Sequence, residues 1–200
     1  RLKLAESTIV VFSSDNGTTH RAPGNPAFGV GGVDAEFFNS TAGLRGFKGS
    51  VYEGGLRVPL IVRWPGRVAP GSQSAFPSYF PDHFPTLCEA AELPVPSGMD
   101  GVSLLPVLTG GGTPARPPMV WVFPEYGGQF AVNFGNSKVV RQSVKTKKPG
   151  SWEVYDLIRD PGESKDLAAD RADLIRKALE VLKAQTLPNP VFPMPAPDSN

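Results

Sequence analysis

The stretch STIVVFSSDNG, residues 7–17, decides how the rest of the chain is read. Thr8, Ile9, Val10, Val11 and Phe12 are β-branched or aromatic and follow one another without a polar alternation. Such a run suits a short strand buried on both faces, as in a parallel sheet. It ends at two serines and then at Asp15, Asn16 and Gly17. Asn-Gly after a strand is a turn signal, and an aspartate ahead of it can brace the turn with its own side chain. Taken alone, that turn is the first reading. The second is chemical: a carboxylate and an amide carbonyl at the C-terminal end of a strand are hard oxygen donors suited to Ca²⁺ or Mg²⁺, and sites in open α/β sheets gather at such ends. Calcium takes roughly six to eight oxygens, so further donors must come from elsewhere.

Downstream, residues 15–50 hold eight glycines, two prolines and little periodicity. A connection this long is usually functional or disordered. His20 lies in it, in a polar setting where a core role is less expected than contact with an anion or a leaving group. His83, the other histidine, reads as structural or exposed. The segment LRGFKGSVYEGGLRVP, 44–59, packs Arg45, Lys48, Glu53 and Arg57 among four glycines. It is either a solvated loop or an anion pocket, with glycines letting backbone approach the ligand and Lys48 supplying a point charge for sulfate or phosphate. Composition alone does not choose between the two, though the Walker spacing is absent.

VPLIVRWPG (58–66) is a second apolar strand closed by Pro65-Gly66. PDHFPTLCEAAEL (81–93) reads as a helix capped by Asp82, and VSLLPVLTG (102–110) as a short helix from Ser103 to Gly110. GGTPARPP (111–118) is the best linker. MVWVF, FAVNF, SKVVRQSV and WEVYDLI then suggest an antiparallel meander. Residues 170–185 form an amphipathic helix with Leu174, Ile175, Ala178, Leu179 and Leu182 on one face and Asp170 as cap. A Pro-rich tail follows from Leu187. The expected division is 1–112, part of a mixed α/β domain, and 113–200, a small antiparallel sheet with one helix.

The bulk numbers exclude several classes. Twenty basic against nineteen acidic side chains give a net charge of +1, so no global field attracts nucleic acid or an anionic membrane. The Lys145, Lys147, Lys148 cluster reads as a solvated hairpin end. Apolar runs stop far short of the ~20 residues of a membrane span. With 22 glycines and 22 prolines a helical bundle is disfavoured. The single Cys88 rules out an internal disulfide and a multi-cysteine metal site; on an apolar helix face it reads as a structural thiol.

TIVVFSSDNG, the loop with His20, DAEFFNSTAGLRGFKGSVYEGGLRVPLIVRWPGRVAPGS, DHFPTLCEAAELPVPSGMDGVSLLPVLTG and WEVYDLIRDPGESKDLA together, in this order over roughly residues 7–185, resemble the C-terminal half of type I sulfatases. These are formylglycine-dependent members of the alkaline-phosphatase-like superfamily, and the arylsulfatase and carbohydrate-sulfatase branch is the most similar. The resemblance implies an α/β fold: part of the family's mixed sheet with helices, followed by a small antiparallel sheet and a C-terminal helix. It implies hydrolysis of a sulfate ester of an aryl or carbohydrate substrate, in which a hydrated formylglycine attacks sulfur while Ca²⁺ and basic residues neutralise the sulfate oxygens.

By the same resemblance Asp15 and Asn16 match the calcium-ligating pair, Lys48 the lysine on the sulfate, and His20, at a looser offset, a histidine lining the substrate site. Glu53 and Arg57 match positions that brace the Lys48 loop. The sulfatase motif C/S-x-P-x-R, source of the formylglycine, is absent from this sequence, and Cys88, followed by Glu-Ala-Ala, does not replace it. The remaining calcium ligands and the nucleophile are therefore expected from sequence upstream, and the 200 residues alone are expected to be inactive. Strands 7–14 and 58–64 would then belong to a larger sheet and expose apolar faces when alone. Two alternatives stay open: a phosphatase or phosphodiesterase of the same superfamily, and a non-catalytic, degenerate homologue. The family resemblance implies a periplasmic, secreted or lysosomal compartment; it implies no oligomeric state.

Overall fold

The computed structural model describes residues 2–20 and 33–199; the part of the long loop at 21–32 lies outside the described residues. The chain divides into two compact units, each built from two separate stretches. One comprises residues 1–15 and 58–117, the other residues 16–57 and 118–200. The break at 117/118 falls at the Pro-rich linker, and the Gly-rich segment that carries Lys48 packs with the C-terminal meander.

In the first unit, β1 (Val10–Ser13) pairs with β2 (Leu60–Arg63). The pairing is antiparallel, with Val10 opposite Arg63 and Ser13 opposite Leu60. This corrects the parallel, doubly buried reading of 7–14. Among the described residues β1 has one strand neighbour, and Val10, Phe12 and Ile61 remain 47, 59 and 61 % exposed. The apolar pattern thus marks strands that have more surface to bury than these two strands cover.

Helix α2 spans His83–Ala90, after a 3₁₀ turn at Phe80–Asp82. Asp82 does not cap α2 with its side chain as expected. Its fully buried carboxylate instead accepts from the backbone N–H of Tyr79 and Val102 and pairs with Arg116 through two hydrogen bonds. Burial explains the switch: a carboxylate with no access to water gains more from a guanidinium and two amides than from one helix N–H. The last short helix of the unit, α3 (Leu105–Leu108), starts where Ser103 Oγ accepts from Leu105 N, and Gly111 N closes on Pro106 O.

The second unit is built on the expected meander. β3 (Met119–Phe123), β4 (Gln129–Asn133), β5 (Ser137–Arg141) and β6 (Trp152–Asp156) pair antiparallel in chain order. Strand periodicity sends alternate residues to opposite faces. One face, carrying Phe130, Val132, Val139 and Val154, packs against Leu174, Ala178 and Leu182 of α4 (Ala172–Gln185). Those are three of the five positions read as the apolar stripe; Asp170 does not cap the helix, whose N-cap is Arg171, ion-paired to Asp173. The other face, with Ala131, Val140 and Tyr155, packs against Val51, Tyr52 and Leu56. The sheet is therefore covered by α4 on one side and on the other by the segment following Lys48, which contains the one-turn helix α1 (Glu53–Leu56). This double cover explains why every residue of β4 is buried.

The tail is anchored rather than loose. Arg141 donates to the carbonyls of Pro197 and Ser199, Lys183 pairs with Asp198 at 2.7 Å, and Met194 packs onto the α4 core. Among the described residues no helix is long and apolar enough to cross a membrane.

Candidate functional site

Asp15 lies two residues past the end of β1, is exposed, and closes the first of the two stretches of the first unit. Asn16 opens the second unit, and its side-chain Nδ2 donates to Gly17 O at 3.0 Å, which sets the orientation of the carboxamide. Gly17 is buried, and its N–H donates to Gly55 O at 2.9 Å. A Cβ on Gly17 would lie 1.9 Å from Gly54 O, so only glycine lets this backbone lie on α1. Asn16-Gly17 is thus a bend docked, through Gly17, onto the YEGG segment of its own unit.

One residue past Gly17, Thr18 O accepts from Lys48 N at 2.9 Å. The Lys48 side chain is exposed. The His20 ring stacks on Phe47, the residue before Lys48, with centroids 4.4 Å apart and planes 17° apart. His20 also forms an isolated parallel bridge with Val33, and its buried Nδ1 has no hydrogen-bond partner among the described residues. The two stretches that hold Asn16, His20 and Lys48 therefore run side by side, tied by backbone bonds and one ring stack.

Arg45 and Glu53 stand elsewhere. Arg45 donates to Tyr155 Oη at 2.7 Å and to Glu163 O, and its guanidinium lies 3.8 Å from the centre of the Tyr52 ring. Tyr52 and Tyr155 both donate to Glu153 Oε2, and burial together with that carboxylate pushes both phenols above their ordinary value. Arg45 is thus committed to a tyrosine–glutamate network and unsuited to anion capture. Glu53, 8 % exposed, accepts from Lys138 Nζ at 2.8 Å and faces Arg57 at 3.9 Å.

Lys138 is the residue that pattern reading passed over. Its ammonium is fully buried between Glu53 and Glu163, at 2.8 and 3.0 Å. Glu163 Oε2 also accepts from Glu53 N at 2.6 Å. Burial raises the Glu163 carboxyl above the ordinary carboxylate range, opposed by the Lys138 charge. Glu163 adopts φ +53°, a left-handed conformation for a non-glycine residue, in the turn of DPGE. Gln129 is the second such residue: 2 % exposed, it donates from Nε2 to Gly49 O at 2.8 Å and accepts at Oε1 from Val51 N at 3.2 Å. Period two would have placed both on the face shared with Ala131 and Val140, a polar residue at a buried position each time.

The donor set at the strand end fits a hard cation in kind, a carboxylate and an amide oxygen, but supplies two donors. Among the described residues there is no cluster of three or more His, Cys, Asp or Glu able to hold a metal ion.

Comparison with known proteins places this geometry. Residues 46–186 match the family model of N-sulphoglucosamine sulphohydrolase, C-terminal. Human (Homo sapiens) arylsulfatase A is 33% identical over 204 aligned residues, which cover 91% of this chain and 38% of that protein. An N-acetylgalactosamine-6-O-sulfatase of Bacteroides thetaiotaomicron is 29% identical, covering 92% of the chain and 37% of that protein. Among solved structures, one described with its substrate D-glucosamine-2-N,6-O-disulfate superposes at a TM-score of 0.62 and 27% identity, over 90% of this chain and 34% of that one. A phosphonate monoester hydrolase of Agrobacterium radiobacter superposes at 0.53 and 27% identity, over 69% of this chain and 31% of that one. The chain spans little more than a third of the length of the curated relatives it matches.

Proposed function

Because this chain belongs to the family of N-sulphoglucosamine sulphohydrolase C-terminal portions, we propose that it forms the C-terminal part of a sulfate-ester hydrolase and supplies the electrostatic half of the site. The observation that carries the reading is the docking of the Asp-Asn-Gly turn beside the Lys48 segment, through Gly17 N to Gly55 O and Lys48 N to Thr18 O. It holds the Asn16 carboxamide and Lys48 on adjoining backbone of one unit, the kind of arrangement that the three oxygens of a sulfate ester, which share one negative charge, would need.

In this reading Asp15 and Asn16 hold a calcium ion with donors from outside the chain. Bound calcium would draw charge from the sulfate oxygens. Lys48, exposed and on a backbone fixed from both sides, places its ammonium on the same oxygens as a point charge. His20, its ring held against Phe47, faces the substrate as a hydrogen-bonding group. The nucleophile, a formylglycine by family resemblance, would come from sequence outside these residues. A sulfated carbohydrate is the favoured substrate class, supported by the carbohydrate sulfatases among the relatives.

The test compares sulfate-ester hydrolysis by protein carrying the natural sequence upstream of Arg1 with that of its Lys48→Ala and Asp15→Ala variants. Lys48→Ala should cut kcat/KM on order of a hundredfold or more. Asp15→Ala should abolish calcium binding measured by calorimetry. Activity on phosphodiesters but not on sulfate esters would move the assignment to the phosphonate hydrolase side of the superfamily. Neither activity, with no calcium uptake, would leave the non-catalytic reading.

A further inference from the structure

Gln129 and Lys138 are buried polar residues on the sheet face that meets the Lys48 segment, the face they share with Ala131 and Val140. Their hydrogen bonds converge on one short piece of backbone. Lys48 N is held by Thr18 O; the carbonyl of the next residue, Gly49 O, is held by Gln129 Nε2, and Val51 N by Gln129 Oε1. Two residues further, Glu53 is fixed at its backbone N–H by Glu163 and at its carboxylate by Lys138. Both ends of the Gln129 carboxamide are used, one as donor and one as acceptor, so neither an apolar residue nor an ionised glutamate can make the pair of bonds.

We propose that Gln129 is a positioning residue for Lys48: its carboxamide clamps the Gly49–Val51 backbone and so fixes where the Lys48 ammonium stands, with the Glu53–Lys138–Glu163 triad anchoring the far end of the same segment. This rests on the reading of Lys48 as the sulfate-binding lysine. Gln129 touches no substrate; it acts through Gly49 O and Val51 N, on the two peptides that follow the Lys48–Gly49 bond. A loop freed by even an ångström would cost a well-oriented site a large factor in rate.

The experiment is a double-mutant cycle in protein carrying its natural upstream sequence, with hydrogen exchange read in parallel over residues 45–52. Gln129→Leu is expected to lower kcat/KM for a sulfate ester about tenfold, and to add less than about twofold when Lys48 is already alanine. Exchange at 45–52 should rise, while Leu182→Ala, which loosens the opposite sheet face, leaves it unchanged at a matched loss of melting temperature. Equal losses with and without Lys48, or the same exchange pattern from Leu182→Ala, would overturn the proposal and leave Gln129 a core residue. If Lys48→Ala itself does not affect sulfate hydrolysis, the sulfate reading of Lys48 falls, and exchange at 45–52 still decides the clamp. Should Gln129→Leu not fold, Gln129→Glu replaces it. A protonated carboxyl makes both bonds, so protection of 45–52 should match wild type measured at the same acid pH and fall below it as the group ionises. A ratio of variant to wild-type exchange that stays constant with pH would count against the clamp.

Discussion

Gly17→Ala is the sharpest test of the turn that carries Asp15 and Asn16. The Gly17 backbone is not in the left-handed region, so alanine loses nothing to its dihedral angles; the whole penalty is contact. The new methyl would lie 1.9 Å from Gly54 O, 2.8 Å from Gly54 C and 2.9 Å from the Gly55 Cα, all backbone atoms that no rotamer change can move aside. Relief requires the turn to back away from α1, which breaks the 2.9 Å bond from Gly17 N to Gly55 O. Overpacking of this kind costs about 1–3 kcal/mol and the lost hydrogen bond about 1 kcal/mol. The sum, about 2–4 kcal/mol, corresponds to a fall in melting temperature of about 10 °C for a body of this size. Thermal unfolding followed by circular dichroism measures it. Gly43→Ala is the control: it has open space but φ +82°, so its cost is conformational alone, about 1 kcal/mol. A Gly17→Ala variant within about 2 °C of wild type, or less destabilised than Gly43→Ala, would refute the docked turn.

Two further expectations concern the buried triad. Lys138→Met should cost about 3–5 kcal/mol in urea unfolding, because it leaves Glu53 and Glu163 buried without a counter-charge. Replacing all three together by Gln, Met and Gln should be close to neutral; comparable loss in both would sink the ion-pair account. The raised Glu163 carboxyl also fixes a sign: below the ordinary carboxylate value both folded and unfolded states hold the proton, and above it the folded state holds more, so the stability it contributes at acid pH is lost as pH rises through its folded value. Glu163→Gln should flatten that decline above the ordinary carboxylate range; an unchanged slope would assign it to another group.

The meander was legible because period two and turn residues coincide: MVWVF, FAVNF, SKVVRQSV and WEVYDLI became β3 to β6 within two or three residues. So was the stripe of α4. The parallel reading of 7–14 was not, because an unalternating apolar run reports how much surface must be covered and says nothing of strand direction. Asp82 misled for a related reason. A carboxylate ahead of a helix looks the same in sequence whether it caps that helix or is buried against an arginine thirty-four residues away. Asp15, Asn16, His20 and Lys48 stood out as hydrophilic, chemically able residues in a glycine-rich context. Gln129, Lys138 and Glu163 did not, because their significance lies in contacts with residues as many as 110 positions away.

That asymmetry follows from what each group must do. A residue that meets a ligand has to be exposed and polar, and such residues announce themselves. The backbone that carries it is irregular, without a helix or strand of its own to satisfy its amides; Lys48 to Tyr52 form neither. Its hydrogen-bonding groups must then be met by side chains from what it packs on, which here are the sheet and the turn at Glu163. Filling the inner face with valine and leucine throughout would bury more apolar area and avoid desolvating the Lys138 ammonium, but it would leave Gly49 O and Val51 N without partners and Glu53 and Glu163 without their counter-charge. A face that alternates Gln129 with Ala131 and Lys138 with Val140 gives up some hydrophobic stabilisation and in return selects one conformation for the loop. If Lys48 meets sulfate as proposed, the buried polar residues Gln129, Lys138 and Glu163 would be the ones that set where that exposed lysine stands.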